Sequence, residues 1–530
     1  MKHTTESPQL FPASGPIRSE RSSRPDSPEL YIGLIGAVGA QMRRVNDLLV
    51  KILARVGYGA REIHVIDRLA QMEGWGPKFS RSSSAPDASA VEKYYHELMD
   101  AGNRFRSQLQ SKAAMAFLAM RAIQEDRNVG DGTTKTAFII RSLKTPEEVA
   151  LLRETYGKSF IAVGAYASKD SRRRFLRDRI LHASNGNSAV DPDALAAAVL
   201  HRDDEEPEGV FGRNVEATFP LADFFVEADG ETEALERSLS RIVELLFGNL
   251  FHAPTRDEYG MFHAVTAGVR SSSPARQVGA SICTAEGELI ALGCNDVPKA
   301  GGGLYWEGDE GDARDHLRGY DFNDQMKTLF LRDILARLQQ SGWLDPSLEK
   351  CATGELLDRA MSPGSSLRQS ELMKVIEYGR SVHAEMAALM DAAKRGIAVE
   401  GCTLYTTTFP CHNCAKHIVA SGLKRVVYVE PYPKSYTKQL YSDSVCIDGE
   451  GGTGDAAKAV RFEPFVGISY RQYFSLFSTG GVDRKINGSL TQWTPESAAP
   501  RFYEHHSACL AREREVLARF DQCLRGGADR

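Results

Sequence analysis

Two motifs, His383-Ala384-Glu385 and Pro410-Cys411-His412-Asn413-Cys414, indicate the fold of the C-terminal half of this 530-residue chain. Cys411 and Cys414 are three residues apart, so they share one face at the start of a helix. At that position the helix dipole and the free amide groups favour the thiolate, which is the form that binds metal. One imidazole and two thiolates therefore form a candidate set of metal ligands.

The spacing within the first motif restricts the geometry further. His383 and Glu385 are two residues apart, which on a mid-helix surface would point their side chains in different directions. Both can face one site only where a helix begins, so we predict that two helix N-termini converge on one metal. His383, Cys411 and Cys414 would bind tetrahedral Zn²⁺, whose fourth position stays open for water as in catalytic sites. Glu385 would lie beside the metal without ligating it.

This arrangement suits the hydrolytic removal of an exocyclic amino group from a pyrimidine. Zinc lowers the pKa of bound water to about 7, and Glu385 would pass the proton of that water to a ring nitrogen and later protonate the departing amine. Positioned proton transfer contributes roughly 10²–10⁴-fold in rate. A structural zinc knuckle and a redox Cys-x-x-Cys pair are the alternatives. The knuckle lacks an evident fourth ligand, and the redox pair lacks its usual surroundings.

Composition excludes several classes of protein. The chain has 65 Lys and Arg against 70 Asp and Glu, a net charge of −5, which disfavours a dedicated duplex-DNA binder. No run approaches the roughly 18 apolar residues of a membrane helix, and residues 1–30 lack the apolar core of a secretory signal. We therefore expect a cytoplasmic protein with no membrane partner. Nine cysteines with one close pair favour metal binding or catalysis over a disulfide framework.

An N-terminal domain is expected over residues 30–248, after a flexible arm at residues 1–29 that is rich in turn formers. Its predicted strands alternate with helices, which favours a mostly parallel α/β sheet covered by helices on both faces. The strand predictions are residues 31–36, 63–67, 136–143, 160–163 and 223–226. Thr145-Pro146-Glu147-Glu148 combines a capping-box pair with proline at the first helical position, which predicts a helix start.

A second domain is expected over residues 249–475, with an insertion at 299–381 and a polar C-terminal tail at 476–530. A helix over 258–269 precedes a predicted hairpin of residues 277–283 and 289–292. After the insertion, the pattern predicts a helix at 383–394, a strand at 403–407, a helix at 411–421 and a strand at 425–430. Both metal-binding motifs therefore lie at the starts of helices within strand–helix units.

The C-terminal domain resembles the zinc cytidine/deoxycytidylate deaminase superfamily. Besides the two motifs, Gly293-Cys294-Asn295-Asp296-Val297-Pro298 is similar to the Gly-Tyr-Asn-Gly-x-Pro stretch of deoxycytidylate deaminases, with Cys and Asp in place of Tyr and Gly. The resemblance implies an α/β/α fold, bound Zn²⁺ and catalysis by Glu385. It also implies substrate contacts by Asn295 to the sugar, by Arg270 and Arg276 to a phosphate, and by Ala384. Either arginine could equally brace the fold.

Nearly the whole chain resembles the bacterial anti-phage dCTP deaminases, in which a degenerate P-loop nucleotide-kinase-like domain precedes the deaminase. The segments that carry this resemblance are residues 36–39, 276–280, 295–302 and 431–435. It implies a homo-oligomer that deaminates dCTP, with dCMP as a second candidate, and so drains the cytosine deoxynucleotide pool during infection. The alternatives are a housekeeping dCMP deaminase and a deaminase of single-stranded nucleic acid. A deaminase of single-stranded nucleic acid needs an electropositive groove with aromatic platforms, and the sequence gives no indication of such a groove.

The segment Gly36-Ala37-Val38-Gly39-Ala40-Gln41-Met42-Arg43 lies where a kinase has its phosphate-binding loop, between a strand and a helix. Met42 stands at the lysine position and Arg43 at that of the metal-holding hydroxyl, so phosphoryl transfer loses its main charge stabilisation. We expect either a regulatory nucleotide or a purely structural turn at Gly36, Gly39, Ala40 and Gln41. Tyr432 and Lys434 follow a predicted strand end and are candidates to hold the sugar or phosphates of the substrate.

Overall fold

The computed structural model describes residues 28–72, 88–129, 135–184, 191–205, 211–431, 435–448, 450–451, 458–480 and 482–528. It is a mixed α/β structure with one sheet of six strands and one of seven, and parallel strand pairs outnumber antiparallel ones. Short 3₁₀ turns lie at Gly157–Ser159, Phe219–Leu221, Ser366–Gln369, Glu371–Lys374 and Pro495–Ser497. Within the described ranges, no helix combines the length and the apolar character that crossing a membrane requires.

The N-terminal region is built around a parallel sheet. Its strands are β1 (Leu30–Ile35), β2 (Gly59–His64), β3 (Thr136–Leu143), β4 (Phe160–Tyr166) and β5 (Phe224–Glu227). Its helices are α1 (Met42–Arg55), α2 (Val65–Gln71), α3 (Ala88–Gln108), α4 (Ala114–Val129), α5 (Pro146–Tyr156), α6 (Lys169–Ser184), α7 (Pro192–Glu205), α8 (Val215–Thr218) and α9 (Thr232–Leu246). The order across the sheet is β5-β4-β1-β3-β2, so β1 is central.

Strand β1 shows why helices cover both faces of this sheet. All six of its residues are buried, and successive side chains of a strand point to opposite faces. Tyr31 therefore joins one core with Phe105 of α3, whereas Ile32 joins another with Leu49 of α1. A strand buried on both faces reads as a continuous apolar run, which is the pattern that made β1 predictable.

Two local predictions for this region have different outcomes. The helix start at Thr145 is confirmed, because both hydrogen bonds of the capping box with Glu148 are present. The strand predicted at 63–67 is wrong over its second half, because Val65 begins α2. Val65 and Leu69 are buried four residues apart on that helix, so packing at helical spacing outweighs the strand preference of the β-branched residues.

The second region contains the larger sheet. Its strands are β6 (Gly279–Cys283), β7 (Leu289–Cys294), β8 (Thr403–Thr408), β9 (Arg425–Glu430), β10 (Val445–Ile447), β11 (Glu450–Gly451) and β12 (Val460–Pro464). Its helices are α10 (Arg256–Val269), α11 (Asp315–Arg318), α12 (Phe322–Gln340), α13 (Pro346–Glu349), α14 (Thr353–Met361), α15 (Ala384–Lys394), α16 (His412–Ala420) and α17 (Thr437–Leu440). The strand order is β11-β10-β12-β9-β8-β6-β7, and the predicted antiparallel hairpin β6–β7 is confirmed.

The helices of this region lie on opposite faces of the sheet. Ile282 of β6 packs in one core with Ala388 of α15 and Ile418 of α16. Its neighbour Cys283 points the other way and joins a core with Met261 of α10. The alternation of strand residues thus produces an α/β/α arrangement, with α15 and α16 side by side on one face.

Close contact between β7 and α15 fixes where the first motif begins. A Cβ atom added at Gly293 would lie 2.2 Å from the carbonyl oxygen of Ala384 and 2.4 Å from the amide nitrogen of Ala388. No side chain fits in that space, so glycine at this strand position lets the start of α15 lie directly on the sheet.

The chain outside the second sheet forms two further units. The insertion contains α11 to α14 and a small core of its own, made by Leu331, Leu335, Leu356 and Ala360. The C-terminal segment, for which the sequence predicts only a polar tail from residue 476, forms β13 (Gly467–Ile468), α18 (Tyr470–Phe477), β14 (Lys485–Ile486), β15 (Ser489–Leu490) and α19 (His506–Ala528). β13 pairs antiparallel with β5, and α19 packs on α4 and α5 of the N-terminal region.

The two regions share one hydrophobic core. Met261 of α10 and Tyr405 of β8 belong to the same buried cluster as Tyr31 of β1 and Phe520 of α19. Phe465 also packs edge-on against Phe225, with ring centroids 5.7 Å apart. The C-terminal segment therefore ties the two sheets together rather than extending from the second one.

Candidate active site

The two motifs of the sequence meet at one point. Nδ1 of His383 lies 3.2 Å from Sγ of Cys411 and 3.4 Å from Sγ of Cys414. One ligand atom from each of these three residues lies within 4.8 Å of the others. His383 is the N-cap of α15 and Cys411 is the N-cap of α16. The predicted convergence of two helix N-termini is therefore confirmed.

Hydrogen bonds and nearby charge favour the thiolate form of Cys411. The hydrogen bonds that Sγ of Cys411 receives from Cys414 and His383 lower the pKa of the Cys411 thiol to about 4. The same contact with Cys411 raises the pKa of His383. The hydrogen bond to Cys411, together with burial, raises the pKa of the Cys414 thiol. A bound divalent cation would reverse that direction for Cys414, because a coordinating thiol is deprotonated outright.

The chemistry of this donor set fits Zn²⁺. One imidazole nitrogen and two cysteine sulfurs are ligands that zinc prefers in tetrahedral sites. Across the part of the chain that the structure describes, no fourth His, Cys, Asp or Glu joins the group formed by His383, Cys411 and Cys414. Three protein ligands with one position left for water or substrate is the pattern of catalytic zinc sites.

Glu385 lies next to this group but outside it. Its side chain is buried, and its Oε2 atom accepts a hydrogen bond from Sγ of Cys414 at 3.5 Å. Burial, and to a lesser degree the charge of Cys411, raises the pKa of Glu385. A buried carboxyl with a raised pKa holds a proton more readily than an exposed one, which suits a general acid–base group.

A cavity of about 200 Å³ opens onto these residues. His383, Ala384, Glu385 and Cys411 line it, as does Arg276. The Arg276 guanidinium is 3.6 Å from a carboxylate oxygen of Glu430 and is partly exposed. Of the predicted substrate contacts, Asn295, Arg276 and Ala384 line this cavity.

The insertion supplies wall residues that sequence reasoning missed. Asp315, Asp321, Asn323 and Arg380 all line the cavity. The Arg380 guanidinium donates to the carbonyl oxygen of Ala313 at 3.0 Å and to Oδ1 of Asp315 at 2.6 Å, which fixes its position. Its place three residues before His383 is the one signal in the sequence that could have drawn attention to it.

Asn295 and Arg270 both have structural partners. Oδ1 of Asn295 accepts from the Val278 amide at 2.7 Å, and its Nδ2 donates to the Arg276 carbonyl at 2.8 Å. The Arg270 guanidinium donates to two carbonyls of the insertion and stacks on the Trp306 ring at 3.5 Å. Arg270 is not among the residues that line the cavity. These contacts join Arg270 to the insertion, and a contact with the substrate phosphate stays a prediction.

The remaining predicted residues lie elsewhere. Tyr432 and Lys434 fall outside the described residues. Gly39, Ala40 and Gln41 line a different cavity beside the N-terminal sheet, and Gly39 and Gln41 both have positive φ. The Gly36 carbonyl accepts a hydrogen bond from Nζ of Lys144 at 2.6 Å.

Comparison with known proteins agrees with this geometry. Residues 254–430 match the family described as "Cytidine and deoxycytidylate deaminase zinc-binding region". The deoxycytidylate deaminase of Enterobacteria phage T2 is 48% identical over 54 residues, which are 10% of this chain and 29% of the phage protein. The deoxycytidylate deaminase of Pongo abelii is 25% identical over 172 residues, which are 32% of this chain and 63% of that protein. The chain thus spans less than two thirds of either relative.

Among solved structures, the dCMP deaminase of cyanophage S-TIM5 in its apo form is 18% identical, with a TM-score of 0.21. The match covers 40% of this chain and 100% of the phage chain. The matched family region, residues 254–430, contains His383, Glu385, Cys411 and Cys414 together. The C-terminal part of this chain therefore contains a zinc-binding domain of the cytidine and deoxycytidylate deaminase type.

Proposed function

We propose that the chain is a zinc-dependent hydrolase that converts deoxycytidine nucleotides to deoxyuridine nucleotides and ammonia. The observation that carries this proposal is the buried carboxyl of Glu385 beside the ligand group of His383, Cys411 and Cys414, at one cavity. Two relatives of this chain, from phage T2 and Pongo abelii, carry the name deoxycytidylate deaminase, which supports a cytosine nucleotide as substrate.

Glu385 moves the protons of the proposed reaction. Bound Zn²⁺ would supply Lewis-acid activation of water near neutral pH. Glu385 accepts one proton from the attacking water and delivers it to N3 of the cytosine ring; it then takes the second proton from the hydroxyl now on C4 and passes it to the departing amine as the C4 carbonyl forms. A C4–O bond forms and the C4–N bond breaks, so water and a cytosine ring give a uracil ring and ammonia. Burial, which raises the pKa of Glu385, suits a group that carries a proton through part of this cycle.

Two arginines of the cavity suit the phosphates of the substrate. Arg276 precedes β6, and Arg380 comes from the insertion, so the guanidinium groups reach one cavity from separate parts of the chain. Charge-assisted hydrogen bonds from arginine are strong and match phosphate geometry. The resemblance of the whole chain to anti-phage dCTP deaminases favours dCTP as the main substrate and dCMP as a second one. The proposed role is depletion of dCTP in the cytoplasm during phage infection, by a homo-oligomer.

Two alternative functions use the same catalytic group. A housekeeping dCMP deaminase would differ only in the number of phosphates on the substrate. A deaminase of single-stranded nucleic acid would need an open basic groove with aromatic platforms. The cavity lining includes the carboxylates of Asp315 and Asp321, so it is not the basic groove that a strand would need, and this favours a free nucleotide.

The N-terminal region has a regulatory role in this proposal. Its loop after central strand β1 leads into α1, as in nucleotide kinases, but Met42 and Arg43 replace the residues that phosphoryl transfer requires. We expect no kinase activity, and phosphoryl transfer by the wild-type protein would contradict this part of the proposal.

A substrate panel tests the proposed activity. Zinc-loaded full-length protein is incubated with dCTP, dCMP, CTP, deoxycytidine and a cytosine-containing oligonucleotide, and uracil products are measured by mass spectrometry together with ammonia. We expect deamination of dCTP and dCMP. A preference for dCMP would favour the housekeeping alternative. Turnover of the oligonucleotide without turnover of free nucleotides would contradict the proposal.

A further inference from the structure

A second cavity lies beside the N-terminal sheet, and none of its lining residues belongs to the zinc-ligand group. It has a volume of about 870 Å³, which is within the range of sites for small molecules. The loop that follows β1 forms one side of it, and β1 lies between β3 and β4 where the order of the parallel strands reverses. Ligands of parallel α/β sheets bind at such a reversal, outside the carboxyl ends of the strands.

The excess of basic residues that line the cavity indicates an anionic ligand. The lining contains eight basic residues, Arg43, Arg44, Lys51, Arg106, Arg141, Lys144, Arg179 and Arg213, and one acidic residue, Asp47. The chain as a whole carries a slight excess of acidic residues, so this concentration of cations is local. Four of the eight form ion pairs: Arg43 with Asp47, Arg106 with Glu148, Arg141 with Glu62 and Arg213 with Asp203. Basic groups still exceed acidic ones at this wall, which favours a polyanion.

One negative group already occupies the loop. Oδ2 of Asp203 accepts a hydrogen bond from the Val38 amide at 2.6 Å, and Oδ1 accepts one from the Arg213 guanidinium at 2.9 Å. The Asp203 side chain is 2% exposed. Backbone amides between a strand and a helix bind phosphate oxygens in nucleotide-binding folds. The Asp203 carboxylate therefore holds contacts that a phosphate group would make.

The residues that α3 contributes to the cavity lining suit a planar base. Tyr94, Tyr95, Leu98 and Met99 of α3 line the cavity. The Tyr95 ring also lies 5.5 Å from the Arg179 guanidinium. Apolar and aromatic side chains together with cations provide contacts for both halves of a nucleotide, the base and the phosphates.

We propose that this cavity binds a nucleoside triphosphate, whose phosphates compete with the Asp203 carboxylate for the Val38 amide and the Arg213 guanidinium. The Asp203 carboxylate thus takes the place of a phosphate at the loop after β1. Because the phosphates must displace it, Asp203 lowers the affinity of the site for the nucleotide. The proposal gives the regulatory role of the N-terminal region a ligand class and a site, and it does not depend on deamination.

Equilibrium binding of dTTP and ATP to the full-length Glu385→Gln protein tests this proposal, because neither probe carries cytosine and the variant lacks the catalytic carboxyl. We expect saturable binding that weakens as salt increases, at least tenfold tighter than that of tripolyphosphate, and no binding of adenosine. Tripolyphosphate binding as tight as that of both nucleotides, or no saturable binding at all, would overturn the proposal.

Variants locate the site. Adding Asp203→Asn removes a negative charge that the phosphates must face, and we expect it to tighten nucleotide binding about tenfold. Adding Lys51→Gln with Arg179→Gln, at exposed positions of the lining, should weaken it at least tenfold. Adding Arg276→Gln in the zinc-site cavity is the control and should leave it unchanged. Weaker binding with Asp203→Asn, or loss of binding with Arg276→Gln alone, would contradict the assignment whether or not the protein deaminates.

Discussion

Nδ1 of His383 and Sγ of Cys411 lie 3.2 Å apart although 28 positions of sequence separate the two residues. Each residue is the N-cap of its own helix, and the two helices lie side by side on one face of the larger sheet. Because the free amides of a helix N-terminus favour negative charge, α16 stabilises the thiolate at Cys411. The sheet therefore creates a metal site from two short motifs, and the predictions below follow from it and from the packing around it.

Loss of either cysteine ligand should remove both zinc and activity. With Cys411→Ala or Cys414→Ala, two protein ligands remain, and a zinc site with two ligands binds metal far more weakly. Metal content by plasma mass spectrometry and deamination of dCMP are measured on the same preparations. The exposed Cys523 lies outside the group, so Cys523→Ser is the control and should behave as wild type. Full zinc content in Cys411→Ala would show that the metal is bound elsewhere.

Arg380 should act on substrate binding more than on the chemical step. Its guanidinium is held at the cavity by Asp315, and in the proposed function it binds a phosphate of the substrate. A hydrogen bond between charged groups is worth about 1.5–3 kcal/mol, so Arg380→Gln should raise KM roughly 10- to 100-fold with little change in kcat. Arg368→Gln, at an exposed position of the same insertion, is the matched control. An unchanged KM for every nucleotide would exclude a phosphate contact by Arg380.

Helix α19 should be required for the stability of the N-terminal region. The buried carboxylate of Glu513 accepts hydrogen bonds from Arg127 at 2.9 Å and from the Tyr156 hydroxyl at 2.7 Å. Removing one partner of a buried ion pair costs roughly 3–5 kcal/mol, so Glu513→Ala should lower the free energy of unfolding by that order. Glu515→Ala on the exposed side of the helix should change it by about 0.5 kcal/mol or less. Equal urea midpoints for the two variants would contradict the role of this helix.

Lys144 should make stability depend on alkaline pH. Burial lowers its pKa to about 8, although Asp203 opposes the shift. Below pH 8 the lysine is protonated in both states, and the cost of burying its charge is fully present. Because the unfolded chain keeps the proton up to the ordinary value near 10.5, stability rises with pH between these two values, by roughly 3 kcal/mol in all.

The measurement is the melting temperature of wild type minus that of Lys144→Met from pH 7 to pH 10. The difference removes the contribution of other titrating groups, which both proteins share. We expect it to increase above pH 8. A difference that stays constant with pH would show that Lys144 titrates in the folded protein as it does in the unfolded chain.

The metal site could be predicted from the sequence because its geometry is local. The Cys-x-x-Cys spacing and the His-x-Glu spacing each require a helix start, and both helix starts are present. The hairpin β6–β7 and the central strand β1 also follow from local apolar patterns. In contrast, Val65 begins a helix because of what it packs against, and a short window of sequence does not contain that information.

Contacts between distant segments could not be predicted. Arg380 lines the cavity, where it contacts Asp315, a residue 65 positions away in the sequence. Asp203 contacts the amide of Val38 across 165 residues. In the C-terminal segment, a largely polar sequence forms helix α19. One face of this helix, which includes Phe520, packs in the core of the N-terminal region. Such positions depend on tertiary packing, which propensity and periodicity do not encode.

Parallel measurement of zinc content and turnover in wild type and Glu385→Gln tests the central claim most directly. The substitution keeps the shape of the side chain and removes its ability to accept and donate the proton. We predict about one zinc per chain in both proteins, deoxyuridine nucleotide from wild type, and a turnover at least about 100-fold lower in the variant. Wild-type turnover by Glu385→Gln, or undiminished turnover by wild type after its zinc is removed with a chelator, would contradict the account.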